Sequence, residues 1–242
     1  MKQLSKILAL VIIATFLASI PLVLADNKPQ LVKVVFELKA DYSDAKPSGN
    51  PGGGNSGGGS RGGSGGYSLM GVSWLSLPTT IEVDPTSAAS NTIFFNAISA
   101  SVNEWESHTS KDLVSTVELS ASPLSPDTDV ADGVNEVMFG SISSTNVIAQ
   151  TTIWYNPSTK AIMDFDIVFN TYYQWGDSNV NTAFMDIQNI ATHELGHGFG
   201  LADLYQIKWS AQTMYGYASQ GQINKRTLES GDIAGIQALY GA

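Results

Sequence analysis

His193-Glu194-Leu195-Gly196-His197-Gly198-Phe199-Gly200-Leu201-Ala202-Asp203 is the stretch on which the fold turns. It overlaps an apolar repeat, Ile187, Ala191, Leu195 and Phe199, whose spacing marks one face of a helix. That spacing predicts a helix starting between 181 and 186 and running to about Gly198. Histidines at i and i+4 stand one above the other on a helix, so both imidazoles can reach one ion. Zinc takes neutral imidazole nitrogen readily, and a catalytic site adds a third protein ligand and keeps a position for water. Glu194, beside His193, is then placed to take a proton from that water. Gly200 can adopt left-handed backbone and turn the chain sharply at the helix end. Asp203, three residues on, is close enough for the turn to swing its carboxylate back to the ion. An HExxH string alone also arises by coincidence. Here the chain has only three histidines and two of them are in the string. The third, His108, reads as a polar residue at a helix end.

Outward from this helix the apolar period switches repeatedly. Thr80 to Val83, Val114 to Leu119, Glu136 to Phe139, Ile148 to Tyr155 and Ala161 to Phe169 read as strands, with Asn156-Pro157-Ser158 as a hairpin turn between the last two. Ser90 or Asn91 can cap a helix that buries Phe94, Ile98, Val102 and Trp105. A last helix opens near Ser230 and is expected to bury Ile233, Ile236, Leu239 and Tyr240. Three helices around a mixed sheet make an α+β domain.

In front of this unit, residues 1–25 read as a signal peptide. Lys2 and Lys6 precede the apolar run Ile7 to Leu24, and Val23-Leu24-Ala25 suits cleavage before Asp26. The same run is near the length that spans a bilayer, so retention as an anchor stays open. Both readings export the rest of the chain, and a retained anchor would tether it to the cell surface. Residues 26–46 form a short N-terminal segment, a candidate propeptide, in which Leu31 to Lys39 alternates like a strand. Residues 47–66 are almost wholly Gly, Ser, Asn and Pro and read as a flexible linker. Residues 67–242 are then the catalytic unit. Losing residues 1–25 removes two lysines and no acids, so a formal charge of −10 becomes −12. That excess argues against nucleic acid as a partner, because phosphate contacts need clustered Lys and Arg. There is no cysteine, so no disulfide holds the domain.

HExxHxxGxxD resembles the extended zinc signature of the metzincins, with Asp203 where a third His is usual. Gln212-Thr213-Met214-Tyr215-Gly216 looks like the Met-turn that lies beneath the metal in that family. Met214, 11 residues after Asp203, would supply its apolar floor. The final helix from Ser230 to Gly241 is similar to the last helix of matrixins, and prokaryotic-type matrixin relatives are the nearest match. The resemblance implies a mixed, mostly parallel twisted sheet with an antiparallel edge strand and three helices. It also implies one catalytic Zn2+ held by His193, His197 and Asp203, with Glu194 as the catalytic residue. The substrate is expected to be protein or peptide, paired in extended form with an edge strand. Ile148 to Trp154 or Glu136 to Phe139 is expected to supply that edge. A different third ligand, Glu229, as in gluzincins, leaves Gly200 and Asp203 without a role.

Three departures matter. Matrixin proforms often block zinc with a cysteine, and none exists here. Extra histidines for a second, structural zinc are lacking as well. Astacin-like relatives place a metal-binding Tyr two residues after the Met, where this chain has Gly216. Tyr217, one position later, is a candidate for lining the pocket or donating to an oxyanion.

Asp127, Asp129 and Asp132 crowd oxygen ligands around Gly133, which suits a hard cation such as Ca2+ or an acidic surface loop. Asp164 and Asp166 share one strand face and pose the same choice. The function these features imply is a secreted, extracellular, monomeric zinc endopeptidase. The alternative is a catalytically silent secreted or surface binding protein on the same zinc-binding fold.

Overall fold

The computed structural model describes residues 30–41, 65–84, 86, 91–127 and 130–242. Residues 1–25, read above as a signal peptide, nearly all of the Gly/Ser-rich segment, Ser90 and Asp129 lie outside the described residues.

The elements are β1 (Val32–Ala40), β2 (Thr79–Val83), α1 (Asn91–Glu106), β3 (Val114–Leu119), β4 (Glu136–Gly140), β5 (Val147–Tyr155) and β6 (Ile162–Asn170), followed by β7 (Trp175–Gly176), β8 (Met185–Asp186), α2 (Ile187–Gly198), β9 (Tyr217–Ala218) and α3 (Ser230–Tyr240). Seven strands form one sheet in the order β3-β2-β4-β6-β5-β1-β9, and β7 and β8 pair separately. β3, β2, β4 and β6 run parallel, and β5 returns antiparallel to β6 through the hairpin at Asn156. There the Asn156 side chain accepts from the Ser158 and Thr159 N–H groups at 2.9 and 3.2 Å, as an Asx turn does. This is the α+β architecture of a metzincin catalytic domain, a mostly parallel mixed sheet with three helices.

One strand expectation needs correction. β4 lies inside the sheet between β2 and β6, so it offers no edge to a peptide. The outer side of β5 is taken up by β1, which pairs along it, with β9 beyond.

The helices pack on the sheet through the positions that periodicity singled out. Phe94, Ile98, Val102 and Trp105 of α1 are all buried, and Trp105 Nε1 donates to the Thr192 carbonyl of α2 at 2.8 Å. α2 is buried almost all round, its polar face included, so it is a central element and not an amphipathic surface helix. In α3 the buried side is rotated from the expected one. Gly231, Asp232, Gly235, Ile236 and Tyr240 are buried, while Ile233 and Leu239 are only partly covered. Small residues let this helix approach closely, and Asp232 is drawn inward by hydrogen bonds described below.

Asp186 starts α2. Its Oδ1 accepts from Asn189 N–H at 2.9 Å and Arg226 Nε at 2.8 Å, and its Oδ2 accepts from Ser178 N–H at 2.8 Å. Replacing a helix cap costs about 1–2 kcal/mol, and losing a buried acceptor adds a desolvation cost for its donors. Asp186→Ala is therefore expected to lower unfolding stability by at least about 2 kcal/mol, read as a shift in the denaturant midpoint. A change below about 0.5 kcal/mol would mean that water replaces the carboxylate without loss.

Candidate metal centre

α2 carries His193 and His197 one turn apart, with ring centroids 4.9 Å from each other. At the helix end Gly200 has φ +102°. Gly200 N–H donates to the His197 carbonyl at 2.8 Å and Leu201 N–H to that of Gly196 at 2.9 Å, which folds the chain back on itself. The last α2 carbonyls are satisfied from outside. Trp74 Nε1 donates to Gly198 O at 2.9 Å, and the Tyr240 hydroxyl to Phe199 O at 2.8 Å.

The turn delivers Asp203 to the histidines. Its Oδ1 stands 3.3 Å from His193 Nε2 and 3.4 Å from His197 Nε2. Each ring places its Nδ1 on a backbone carbonyl, 2.7 Å from Thr213 O and 2.9 Å from Leu201 O. A carbonyl cannot donate, so each Nδ1 holds the hydrogen and the neutral ring turns a bare lone pair at Nε2 inward. Three buried acceptors, His193 Nε2, His197 Nε2 and Asp203 Oδ1, thus converge with no hydrogen-bond donor among them. Such an arrangement is costly unless a cation fills it. Tetrahedral zinc with ligand bonds of ~2.0–2.1 Å holds its ligand atoms about 3.4 Å apart, which matches the two separations from Asp203 Oδ1. These three residues can therefore hold one metal ion.

Burial pushes His193 down to about 4, which favours the neutral ring a metal needs, whereas at His197 burial is outweighed by the Asp203 and Glu194 charges, which raise it. Burial alone would raise Asp203, but the two imidazoles outweigh it and keep the carboxylate ionised. Glu194 is fully buried, and burial pushes it up to about 7. Its Oε2 accepts a short hydrogen bond from the Thr151 hydroxyl of β5, while Oε1 has no partner.

The Met-turn is held from three sides. Leu204 N–H donates to Met214 O at 2.8 Å and Gly216 N–H to Leu204 O at 2.9 Å, which ties it to the loop behind Asp203. The Asp232 carboxylate accepts from the Thr213 and Met214 N–H groups at 2.7 and 3.1 Å. In return, Gln212 Oε1 accepts from the Gly231 and Asp232 N–H groups at the start of α3. Buried Lys225 donates to Thr213 O at 2.8 Å and also to Tyr215 O.

Met214 is wholly buried, with its sulfur packed against Gly196 of α2. A Cβ at Gly196 would collide with its sulfur and lie 2.7 Å from the Trp105 ring. Gly196→Ala is expected to cost about 1–3 kcal/mol of overpacking, seen as a lowered thermal midpoint. An unchanged midpoint would show that the floor yields freely.

Spacing in the sequence points to His193, Glu194, His197, Asp203 and Met214; the structure brings His193, His197 and Asp203 together, keeps Glu194 buried between the two histidines on α2, and packs Met214 against Gly196. It did not point to Thr151, nor to Tyr205, whose hydroxyl donates to Asp203 Oδ2 at 2.8 Å. Both are ordinary residues in the sequence, and Asp232, Gln212 and Lys225 likewise carried no local signal. Tyr217 lies in β9 with its ring 5.8 Å from that of Tyr205. Glu229 is the N-cap of α3, where its side chain forms a capping box with Asp232.

A second group lies elsewhere. Carboxylate oxygens of Asp127, Asp132 and Asp164 sit within 4.8 Å of one another. Asp166 Oδ2 accepts from Asp127 N–H at 2.7 Å and Asp164 Oδ2 from Gly133 N–H at 3.0 Å, but the buried Oδ1 atoms of both have no hydrogen-bond partner among the described residues. Burial first, then crowding by neighbouring carboxylates, pushes Glu136, Asp164 and Asp166 up to about 7.

No curated protein matches the chain. The family model described as Matrixin matches residues 144–241, which run from just before β5 through α2 and the Met-turn to the end of α3. That match lies over the convergence of His193, His197 and Asp203, and across it the chain is similar to the matrixins.

Proposed function

We propose that the protein is a secreted zinc endopeptidase in which Glu194 is the general base. The observation that carries this reading is the free Oε1 of buried Glu194, one residue from a ligand of the metal centre. No structural duty uses that oxygen, whereas Oε2 is held by Thr151.

His193, His197 and Asp203 would hold the zinc. Bound there, zinc supplies Lewis acidity to water and to a substrate carbonyl. Glu194 Oε1 takes a proton as the water oxygen bonds to the carbonyl carbon, and returns it to the amine nitrogen as the C–N bond breaks. Thr151 fixes the carboxylate so that only one oxygen is free to move the proton. The Nδ1 hydrogen bonds to Thr213 and Leu201 hold both imidazoles in the orientation and tautomer that ligation requires. Met214 is the apolar floor, and Tyr217 lines the pocket or donates to the developing oxyanion. Substrate would lie extended, so cleavage falls inside polypeptides. The protein is proposed to be exported, to act as a monomer, and to meet a membrane only where its N-terminal apolar run is retained.

The test is digestion of casein by the zinc-loaded protein beside Glu194→Ala. Cleavage that disappears in the variant and with chelator supports the peptidase. Zinc binding without cleavage, in a form whose groove is open, favours a silent binding protein.

We further propose a calcium ion at Asp127, Asp132 and Asp164, with Asp166 beside them. The buried Oδ1 atoms of Asp164 and Asp166 on β6 support it, since neither has a hydrogen-bond donor among the described residues and a cation would satisfy them. Millimolar calcium is expected to raise the thermal midpoint by several degrees and Asp164→Asn to abolish the rise. Equal midpoints with and without calcium would sink the assignment.

A further inference from the structure

A strand of the same chain lies against the metal centre. β1 pairs antiparallel along β5, from Val32 opposite Tyr155 to Leu38 opposite Ala149. Its far end pairs parallel with β9, Lys39 beside Tyr217 and Ala40 beside Ala218. Asp41 N–H donates to Ala218 O at 2.8 Å and Ala40 N–H to Asn146 O at 2.9 Å, so the end of the strand is fastened on both sides. The middle of β1 crosses the chemistry. Phe36 stands opposite Thr151, whose hydroxyl bonds Glu194, and its ring stacks on the His197 imidazole with centroids 4.2 Å apart and planes at 15°. Two residues on, Leu38 is wholly buried.

Three observations separate β1 from the strands that build the domain. Among its nine residues only Leu38 is buried, whereas seven of nine are buried in neighbouring β5. It is joined to β2 through a stretch of which residues 47–66 are almost wholly Gly, Ser, Asn and Pro. It also fills a slot between the outer edges of β5 and β9, which would otherwise be left unpaired on those sides among the described residues. An extended polypeptide added between two such edges gains main-chain hydrogen bonds on both sides, the general mode of strand addition.

We infer that residues 32–40 occupy the substrate groove in cis and hold the chain latent, with the Phe36 ring on His197 and the Leu38 side chain in the groove's apolar pocket. This rests on the endopeptidase reading. No cysteine is needed for such a block, because the strand competes by shape and backbone pairing without ligating the metal. A flexible tether presents its segment at an effective concentration on the order of millimolar, so even modest intrinsic affinity keeps the groove filled. Cutting the tether leaves the strand to dissociate on dilution.

The test uses the zinc-loaded chain and a double variant, Phe36→Asp with Leu38→Asp, which puts charges where the strand needs apolar contact. Two signals are read: hydrolysis of a fluorogenic peptide, and anisotropy of a labelled peptide of residues 30–41. The unaltered chain is expected to ignore the labelled peptide and to cleave slowly. The variant is expected to bind it with Kd on the order of micromolar and to cleave at least about ten-fold faster, and unlabelled peptide should then raise KM without changing kcat. A variant that keeps its zinc and its melting transition but neither binds the peptide nor gains activity overturns the inference. A variant that fails to fold also counts against it, and a chain with a cleavable site placed in residues 47–66 then decides. After cutting and dilution to nanomolar, activity should rise as the strand leaves. A strand that stays bound with no gain is an integral part of the fold. Peptide binding to the variant without cleavage by any form supports the occupied groove and sinks the peptidase reading, so the two fail separately.

Discussion

Glu194→Gln is expected to lower kcat by about 10²–10⁴-fold while leaving zinc content at one ion per chain. Glutamine is nearly isosteric, and its amide can still meet the Thr151 hydroxyl that now bonds Oε2. What it cannot do is accept a proton at the position of Oε1. Glu194 is fully buried, so bulk water has no direct route to replace it as base. The comparison belongs in the Phe36→Asp, Leu38→Asp background as well as in the unaltered chain, so that occupancy of the groove does not mask the effect. A kcat within about three-fold of the parent, with zinc in place, would remove Glu194 from the proton transfer.

Asp203→Ala is expected to weaken zinc binding by more than about 100-fold, the upper range seen for groups that only support a ligand. Asp203 Oδ1 is the one anionic donor of the three, and both imidazole Nε2 atoms lie within 3.4 Å of it. Its removal leaves two neutral nitrogens, and it also frees the Tyr205 hydroxyl. Asp203→His restores a ligand of the type usual in the family and is expected to recover zinc, whereas Glu229→Ala should leave zinc binding unchanged. Equilibrium dialysis against a competing chelator measures all three. Zinc retained by Asp203→Ala but lost from Glu229→Ala would move the third ligand to α3. That outcome would contradict the placement of Glu229 as the α3 N-cap.

The two predictions differ in how much of them local sequence could supply. The register of His193, Glu194 and His197 follows from the helix repeat alone, and the turn at Gly200 needs only one residue able to adopt positive φ. Hydrophobic period likewise placed α1, α2 and the β5–β6 hairpin within a few residues, because each buries a face whose spacing its own geometry sets. α3 was placed correctly but turned wrongly. Its inward face is chosen by Gln212 and the Met-turn amides, which pull Asp232 in, and not by its own apolar residues.

By itself, then, the sequence determined the spacing of the two histidines, the carboxylate beside them and the kind of domain that presents them. These are consequences of short-range geometry. Only the tertiary structure decided which oxygen of Glu194 is free, because the Thr151 that holds the other lies 43 residues away. It also brought Asp164 and Asp166 of β6 against Asp127 and Asp132, and it laid β1 between β5 and β9 over His197. An alternating apolar run announces a strand but not its partner. Partner choice is set by which edges remain open after the rest of the chain has packed.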